Sequence, residues 1–310
     1  MLIFIHAVFY LTGMPGQEDV YVWISIPFCL VYLTSILGNS VILFIIKTDP
    51  TLHEPMYIFL SMLAITDLDL GISISTMTTT LGVFWFNSRE ISHDACFAQL
   101  FFIHLFMGTE STVLLCMGFD RFVAICNPLR YKSILMPSRI AKMGLVSLLR
   151  GVALILPYPI ILKQHQYCHN NILSNSYCIH VDVMKMACSD IRVNIIYGLF
   201  LALASDGLDF LLILLSYIMI LKTVLIITSP EGCLKALNTS ISHICTVLIF
   251  YMPGIVTSVI YRFVKISSPL VQIVVGYVHL LIPPLMNPIV YSINTKPIRV
   301  RIIKFFTKAV

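Results

Sequence analysis

Apolar residues run in long unbroken blocks along this chain instead of alternating with polar ones. The stretches 20–46, 236–261 and 266–295 carry no charged residue, and each exceeds the roughly 18 residues that mark a membrane-crossing helix. Four more apolar stretches, near 56–82, 95–122, 141–162 and 194–225, hold only isolated charges. The pattern predicts seven helices, at roughly 21–46, 56–82, 95–122, 141–162, 194–225, 235–261 and 267–292. Barrel strands would instead read as alternating segments of about ten residues. The expected fold class is an all-α membrane protein, a seven-transmembrane helix bundle. It is read as one domain over 1–310, with 1–20 as an outer tail and 293–310 as an inner tail.

Charge sets the orientation. Of twenty Lys and Arg, thirteen fall on one side of the predicted membrane, six on the other, and Arg150 lies inside a span. The basic side faces the cytoplasm, so an odd number of spans puts the N-terminus outside and the C-terminus inside. The segment Met1–Leu11 is apolar but lacks the basic flank and cleavage site of a signal peptide, and is read as extracellular tail. Composition agrees: 58% of 310 residues are apolar and 11% charged, with a mean hydropathy of +0.91. That leaves too little polar surface to wrap a soluble globule. Nucleic acid is not an expected partner, because the net charge of +5 is modest and no basic cluster is interleaved with aromatics.

Ionisable residues at bilayer depth cost about 2.5–3.5 kcal/mol on insertion scales, so they face the bundle interior. Asp67, Asp69, Glu110, Arg150, Asp206 and Asp209 are such residues. Asp67 and Glu110 would share a proton or hold a sodium ion, with Asn39 and Asn287 as neutral oxygen donors; no other cofactor is expected. The alternative is a protonated structural pair. Arg121 lies eleven residues after Glu110, close to three turns and about 16 Å along one face, at the cytoplasmic mouth of the same seam. Asp206 and Asp209 are three apart and would cap one polar patch, pointing either at the ligand cavity or, the favoured reading, at a neighbouring helix in a structural role; Arg150 is read as reaching headgroups or a neighbouring helix. Four of the nine cysteines, Cys96, Cys168, Cys178 and Cys188, fall outside, which leaves three disulfide pairings open. His165 and His169 flank Cys168, but oxidised cysteines cannot be thiolate ligands, so no metal site is expected.

The segment Met117–Tyr131 (MGFDRFVAICNPLRY) resembles the hallmark of vertebrate odorant receptors, within the rhodopsin-like G-protein-coupled receptors. Gly38-Asn39, Pro55-Met56-Tyr57, Leu63–Asp67, Lys235–Thr239, Ser242–Cys245 and Pro283–Ser292 follow the same family in the same order. In the long outer loop, Tyr167-Cys168, Ser176–Cys178 and Asp182–Cys188 resemble the class I, fish-like branch, near family 51. The resemblance implies disulfides Cys96–Cys178 and Cys168–Cys188. It also implies a coupling surface of Asp120, Arg121, Asn287, Pro288 and Tyr291, in which Asp120 restrains Arg121 until activation. Its implied partners are a small-molecule odorant, an olfactory stimulatory G protein that raises cyclic AMP, and membrane lipids beneath the basic stretch 296–308. The implied location is the plasma membrane, in olfactory cilia. The chain departs from the pattern at Gly118, usually Ala, and at Ser240, often Cys. It has no glycosylation sequon before the first span, and reduced surface export is the expectation; its one sequon, at 238–240, lies on the cytoplasmic side.

Family agonists bind in the outer third of the bundle. On the sixth span Tyr251, Ile255, Ser258 and Arg262 repeat at 4, 3 and 4 and share a face. The planar fork of Arg262 matches a carboxylate, and Ser258 adds a hydroxyl. His104, Gly108 and Ser111 share a face of the third span. His180, two residues after Cys178, would be held over the cavity, and Gly198 and Ala202 leave room for a tail. The expected ligand is a short or medium aliphatic carboxylic acid anchored by Arg262; the alternative pairs Arg262 with Asp182. A secondary transporter or channel is the rival function, but neither internal repeats nor a ring of pore charges is visible. No HExxH or GxSxG motif suggests an enzyme.

Overall fold

The computed structural model describes residues 8–13, 21–68, 76–167, 171–226, 230–263 and 269–308, apart from the side chains at 230–236, 238–239, 258–263, 269–270, 272, 306 and 308. Helices α1 (Tyr21–Thr48), α2 (Pro55–Asp67), α3 (Thr76–Phe86) and α4 (His93–Cys126) carry the first three spans. After the short α5 (Tyr131–Ile134), α6 (Pro137–Ile155) and α7 (Pro157–Lys163) form the fourth. The outer loop holds α8 (His180–Lys185). The fifth span is α9 (Arg192–Leu201), a π-helical turn at Ala202–Gly207, and α10 (Leu208–Ile226). Helices α11 (Pro230–Phe263) and α12 (Pro269–Asn294) complete the bundle, and α13 (Lys296–Lys308) follows it. Asp69 lies outside the described residues.

The sequence explains the boundaries. Prolines sit at the first turns of α2, α6 and α7, where a missing N–H costs nothing. Pro157 breaks the fourth span that the apolar run predicted as one helix. Ser92 caps α4 by accepting from the backbone N–H of Ala95 at 3.3 Å. Several helices outrun their apolar stretches, because a helix end in water needs no apolar side chains; α11 begins five residues before the predicted start at 235.

Close helix contacts depend on two glycines. A Cβ on Gly38 would lie 3.0 Å from the Pro288 ring, and one on Gly151 would lie 3.0 Å from Leu105. Small residues let membrane helices approach in this way. Pro288 also lacks the N–H that would bond the carbonyl of Pro284. Ser35 Oγ and Asn39 Nδ2 donate to that carbonyl instead, at 2.9 and 3.0 Å, which ties α1 to the break in α12.

The apolar core has an outer and an inner cluster. Along α4 the outer one ends in the Ile103–Met107 region and the inner one begins at Val113; the polar run Thr109–Thr112 lies between them. The tail adds a feature too short for periodicity to signal. Strand β1 (Val8–Leu11) pairs antiparallel with β2 (Glu90–Ser92) and parallel with β3 (Ile172–Leu173). Phe9 is fully buried and its ring stacks on His93 at 4.0 Å, with Tyr167 edge-on.

Candidate functional site: outer pocket, central polar layer and inner mouth

In the outer half of the bundle, ring contacts gather around Tyr158 of α7. His180 stacks on its ring at 4.0 Å, and His104 of α4 meets it edge-on at 5.3 Å. A Cβ on Gly198 of α9 would lie 3.3 Å from the Tyr158 hydroxyl and 3.6 Å from His180. His104, His180 and Gly198 therefore gather at one place. The disulfide Cys96–Cys178 fastens the loop that delivers His180 to α4. Cys188 is also disulfide-bonded, while Cys168 lies outside the described residues. Nδ1 of His104 sits 2.8 Å from the Leu100 carbonyl. His180 is 4% exposed, yet its Nε2 has no hydrogen-bond partner among the described residues. Burial pushes its pKa down to about 3, so the ring is neutral. Asp182 is turned into its own loop, where Asn175 donates to it, and burial raises its pKa.

The side chains of Ser258 and Arg262 lie outside the described residues. Ile255 is 47% exposed, whereas Tyr251 is 5% exposed. The expected four-residue stripe is thus not one inward face. The inward ridge runs through Phe250, Tyr251 and Gly254, and a Cβ on Gly254 would lie 3.2 Å from His279 of α12. Four residues advance a helix about 40° past a full turn, enough to carry Ile255 outward.

Below this pocket Tyr251 and Ser111 hydrogen-bond at 2.8 Å, and Ser111 donates to Asp209 at 3.0 Å. Arg150 donates to both Asp209 oxygens at 2.9 and 2.8 Å, to Thr112 at 2.9 Å and to the Ala204 carbonyl at 3.0 Å. This network joins the third, fourth, fifth and sixth spans. Arg150 is thus bonded to neighbouring helices rather than to headgroups. Asp209 belongs to the network and is 1% exposed, whereas Asp206 is exposed. The π turn between Ala202 and Gly207 widens the helix and turns the two acids apart. Gly108 faces Ser205, and Ala202 opens the π turn. Thr112 was not singled out in the sequence, although its place one residue after Ser111 within an apolar run carried the signal.

The second polar cluster lies toward α12. Nδ2 of Asn287 donates to Asp67 at 3.1 Å and to Glu110 at 3.2 Å. All three residues are under 5% exposed. Asn287 Oδ1 is buried without a hydrogen-bond partner among the described residues. A cavity with room for about one water-sized particle is lined by Asp67, Glu110, Phe250, His279, Pro283 and Pro284. Two carboxyl groups and an orphaned amide oxygen form a donor set that suits a hard cation. Asn39 is not among the residues lining this cavity; its amide nitrogen donates to the carbonyls of Ser35 and Pro284.

At the inner mouth Arg121 pairs with Asp120, its Nε donating at 2.9 Å. Tyr131 of α5 donates to the other Asp120 oxygen at 2.8 Å. Burial, with the Asp120 carboxylate beside it, raises the phenol pKa well above the usual range, so it remains a donor. Tyr291 is buried beside Met117. His243 is a further connection that the sequence reading used only as a motif. Its Nδ1 lies 2.6 Å from the Tyr217 hydroxyl and its Nε2 lies 3.0 Å from the Leu114 carbonyl.

Residues 28–309 match the family model described as olfactory receptor. Human olfactory receptor 51G2 is 59% identical over 302 residues, 97% of this chain and 96% of that protein. Human olfactory receptor 51A4 is 57% identical over 295 residues, 95% of this chain and 93% of that one. The crystal structure of squid rhodopsin superposes with a TM-score of 0.76 at 17% identity, over 95% of this chain and 82% of that one.

Proposed function

Because the chain belongs to the olfactory receptor family, it is a multi-pass plasma-membrane receptor that binds a small molecule and couples to a G protein rather than an enzyme, and we propose that its agonist is a short or medium aliphatic carboxylic acid. The observation that carries this reading is the buried Nε2 of His180, which has no hydrogen-bond partner among the described residues. A buried polar nitrogen without a partner costs about 1–3 kcal/mol, which a ligand oxygen accepting its hydrogen would recover. A neutral imidazole suits a carboxylate head whose charge is met by a cation elsewhere. Arg262, at the outer end of the sixth span, supplies that cation, and Ser258 a hydroxyl. Gly198, with no side chain of its own, lets the ring of His180 and the Tyr158 hydroxyl come close to the fifth span.

In this reading the acid stabilises the active arrangement more than the resting one, and only that difference drives signalling. Tyr251 and Ser111 carry the change from the pocket to Asp209 and Arg150. At the inner mouth Arg121 leaves Asp120 as the sixth span swings outward. Asn287, Pro288 and Tyr291 line the groove that opens. The G protein is of the olfactory stimulatory type, cyclic AMP rises, and the receptor works in olfactory cilia. A sodium ion held by Asp67, Glu110 and Asn287 favours the resting arrangement, and the basic helix α13 lies on the anionic inner leaflet. The test is a panel of straight-chain acids and the matching alcohols, read as cyclic AMP in cells expressing the wild type or Arg262→Ala. Acids activate the wild type, and the variant loses that response at equal surface level. An unchanged response to acids in the variant discards the anchor.

A further inference from the structure

The outer-loop segment 173–178 is partly polar yet sits deep. Leu173, Asn175, Ser176 and Cys178 are fully buried and Tyr177 nearly so, although loops ordinarily run over the surface. Its far end is fixed across the outer mouth of the bundle. The Cys96–Cys178 disulfide ties it to α4, and the Cys178 N–H donates to Gln99 Oε1 on the same helix at 2.8 Å. The Tyr177 ring meets Tyr277 of α12 at 5.5 Å, and His180, two residues on, stacks on Tyr158 of α7. The segment thus reaches from the third span to the seventh, on the water side of His104 and Gly108, which lie further down α4.

The near end of the segment is held by the tail. The Tyr10 N–H donates to the Asn171 carbonyl at 2.7 Å, and the backbone N–H and hydroxyl of Thr12 both donate to the Leu173 carbonyl. On the other edge the Leu11 N–H donates to the Arg89 carbonyl at 2.8 Å. Strand β1 is the middle strand of the three, so without it neither β2 nor β3 keeps a strand partner among the described residues. Phe9 is the wedge, buried between His93 and Tyr167. Gly13, at φ +71°, makes the turn that follows, where a Cβ would lie 2.6 Å from the Tyr21 hydroxyl. A sheet of so few residues is marginal by itself, and such units open locally while the rest of a fold stays intact. His93 Nε2 is buried with no hydrogen-bond partner among the described residues, so lifting Phe9 lets water reach it and offsets part of the cost of opening. We infer that residues 8–12 are a strap over the outer mouth. While β1 is paired, the segment 173–178 shuts water-borne molecules out of the space around Tyr158, His180 and Gly108, and the unpairing of β1 sets the rate at which they enter.

The test uses no agonist, so its outcome is independent of whether the ligand is a carboxylic acid. Gly108→Cys is the reporter, because a Cβ there meets only Ser205 Oγ, at 3.9 Å. In the full-length receptor in lipid nanodiscs, its labelling by the membrane-impermeant thiol reagent methanethiosulfonate ethyltrimethylammonium is followed by mass spectrometry at position 108. Adding Phe9→Ala speeds labelling about tenfold or more, since truncating a buried ring weakens the closed arrangement by at least that factor. The second arm instead adds Tyr10→Cys and Glu90→Cys, at exposed positions directly opposite each other in the β1–β2 ladder. Once oxidised to a disulfide, this pair slows labelling about tenfold, because the strap can no longer unpair. A tail that served only to stabilise the fold would shift the unfolding midpoint in both variants and leave the labelling rate of the folded receptor unchanged. A stapled receptor that labels as fast as the reporter alone overturns the proposal and puts the entry route between helices. So does a folded Phe9→Ala receptor that labels no faster; if that variant does not fold, the stapled arm decides.

Discussion

Arg150 shows how much a single ionisable side chain determines inside this bundle. Its guanidinium meets Asp209, Thr112 and the Ala204 carbonyl, so removing it leaves the buried Asp209 carboxylate without its cation, held only by hydroxyl donors. Such losses cost about 3–5 kcal/mol. Arg150→Ala is expected to lower surface expression sharply and the thermal unfolding midpoint by several degrees, measured on the detergent-solubilised receptor. Gly118 acts in the opposite direction. A Cβ there would sit 3.5 Å from His243 and 3.6 Å from Ile213, ordinary contact distances. Gly118→Ala gains about 1 kcal/mol of helix propensity and should raise the unfolding midpoint in the same assay. Glu110→Gln tests the proposed cation pocket: sodium is expected to reduce agonist binding to the wild type, and the variant's binding should no longer respond to sodium. The intramembrane charges were legible in the sequence because each is conspicuous in an apolar run. Their partners were not, because which helix faces which is set by packing. The sequence alone set Asn39 beside Asp67, whereas its amide nitrogen bonds the Pro284 carbonyl that Pro288 leaves free, and it does not line the cavity.

The elements divide by how strongly a repeating pattern marks them. Long apolar runs gave seven spans with boundaries near those observed. Interruptions were harder to read. The π turn at Ala202–Gly207 is invisible to periodicity, and it is the reason Asp206 and Asp209 face different ways although they stand three apart. The stripe from Tyr251 to Arg262 assumed an ideal helix, and Gly254, not Ile255, takes the inward place beside His279. Strand β1 is too short to show a period and becomes ordered only by pairing with two outer loops. At the inner mouth the short helix α5 contributes a hydrogen bond that the family motif did not announce. Tyr131 holds one oxygen of Asp120 while Arg121 holds the other. Tyr131→Phe removes that hold while keeping the ring, so agonist-independent cyclic AMP should rise above wild type at matched surface level. A basal level no higher than wild type would show that Tyr131 does not restrain the pair.

At the scale of the whole molecule, two apolar clusters enclose a polar layer that spans the bundle. The outer cluster carries the pocket around Tyr158 and His180, and the inner one surrounds the approach to Arg121. The hydrogen-bonded chain from Tyr251 through Ser111 to Asp209 and Arg150 lies between them, as does the Asp67, Glu110 and Asn287 cluster. A ligand bound beside Tyr158 and His180 is expected to change the inner mouth through this layer. The most direct measurement is the distance between spin labels placed at Lys132 and Lys235, on the second inner loop and the cytoplasmic end of α11, with and without an activating acid. The account predicts a second, longer distance that grows with acid concentration and is lost in Arg262→Ala. One unchanged distance distribution at acid concentrations that raise cyclic AMP would contradict it.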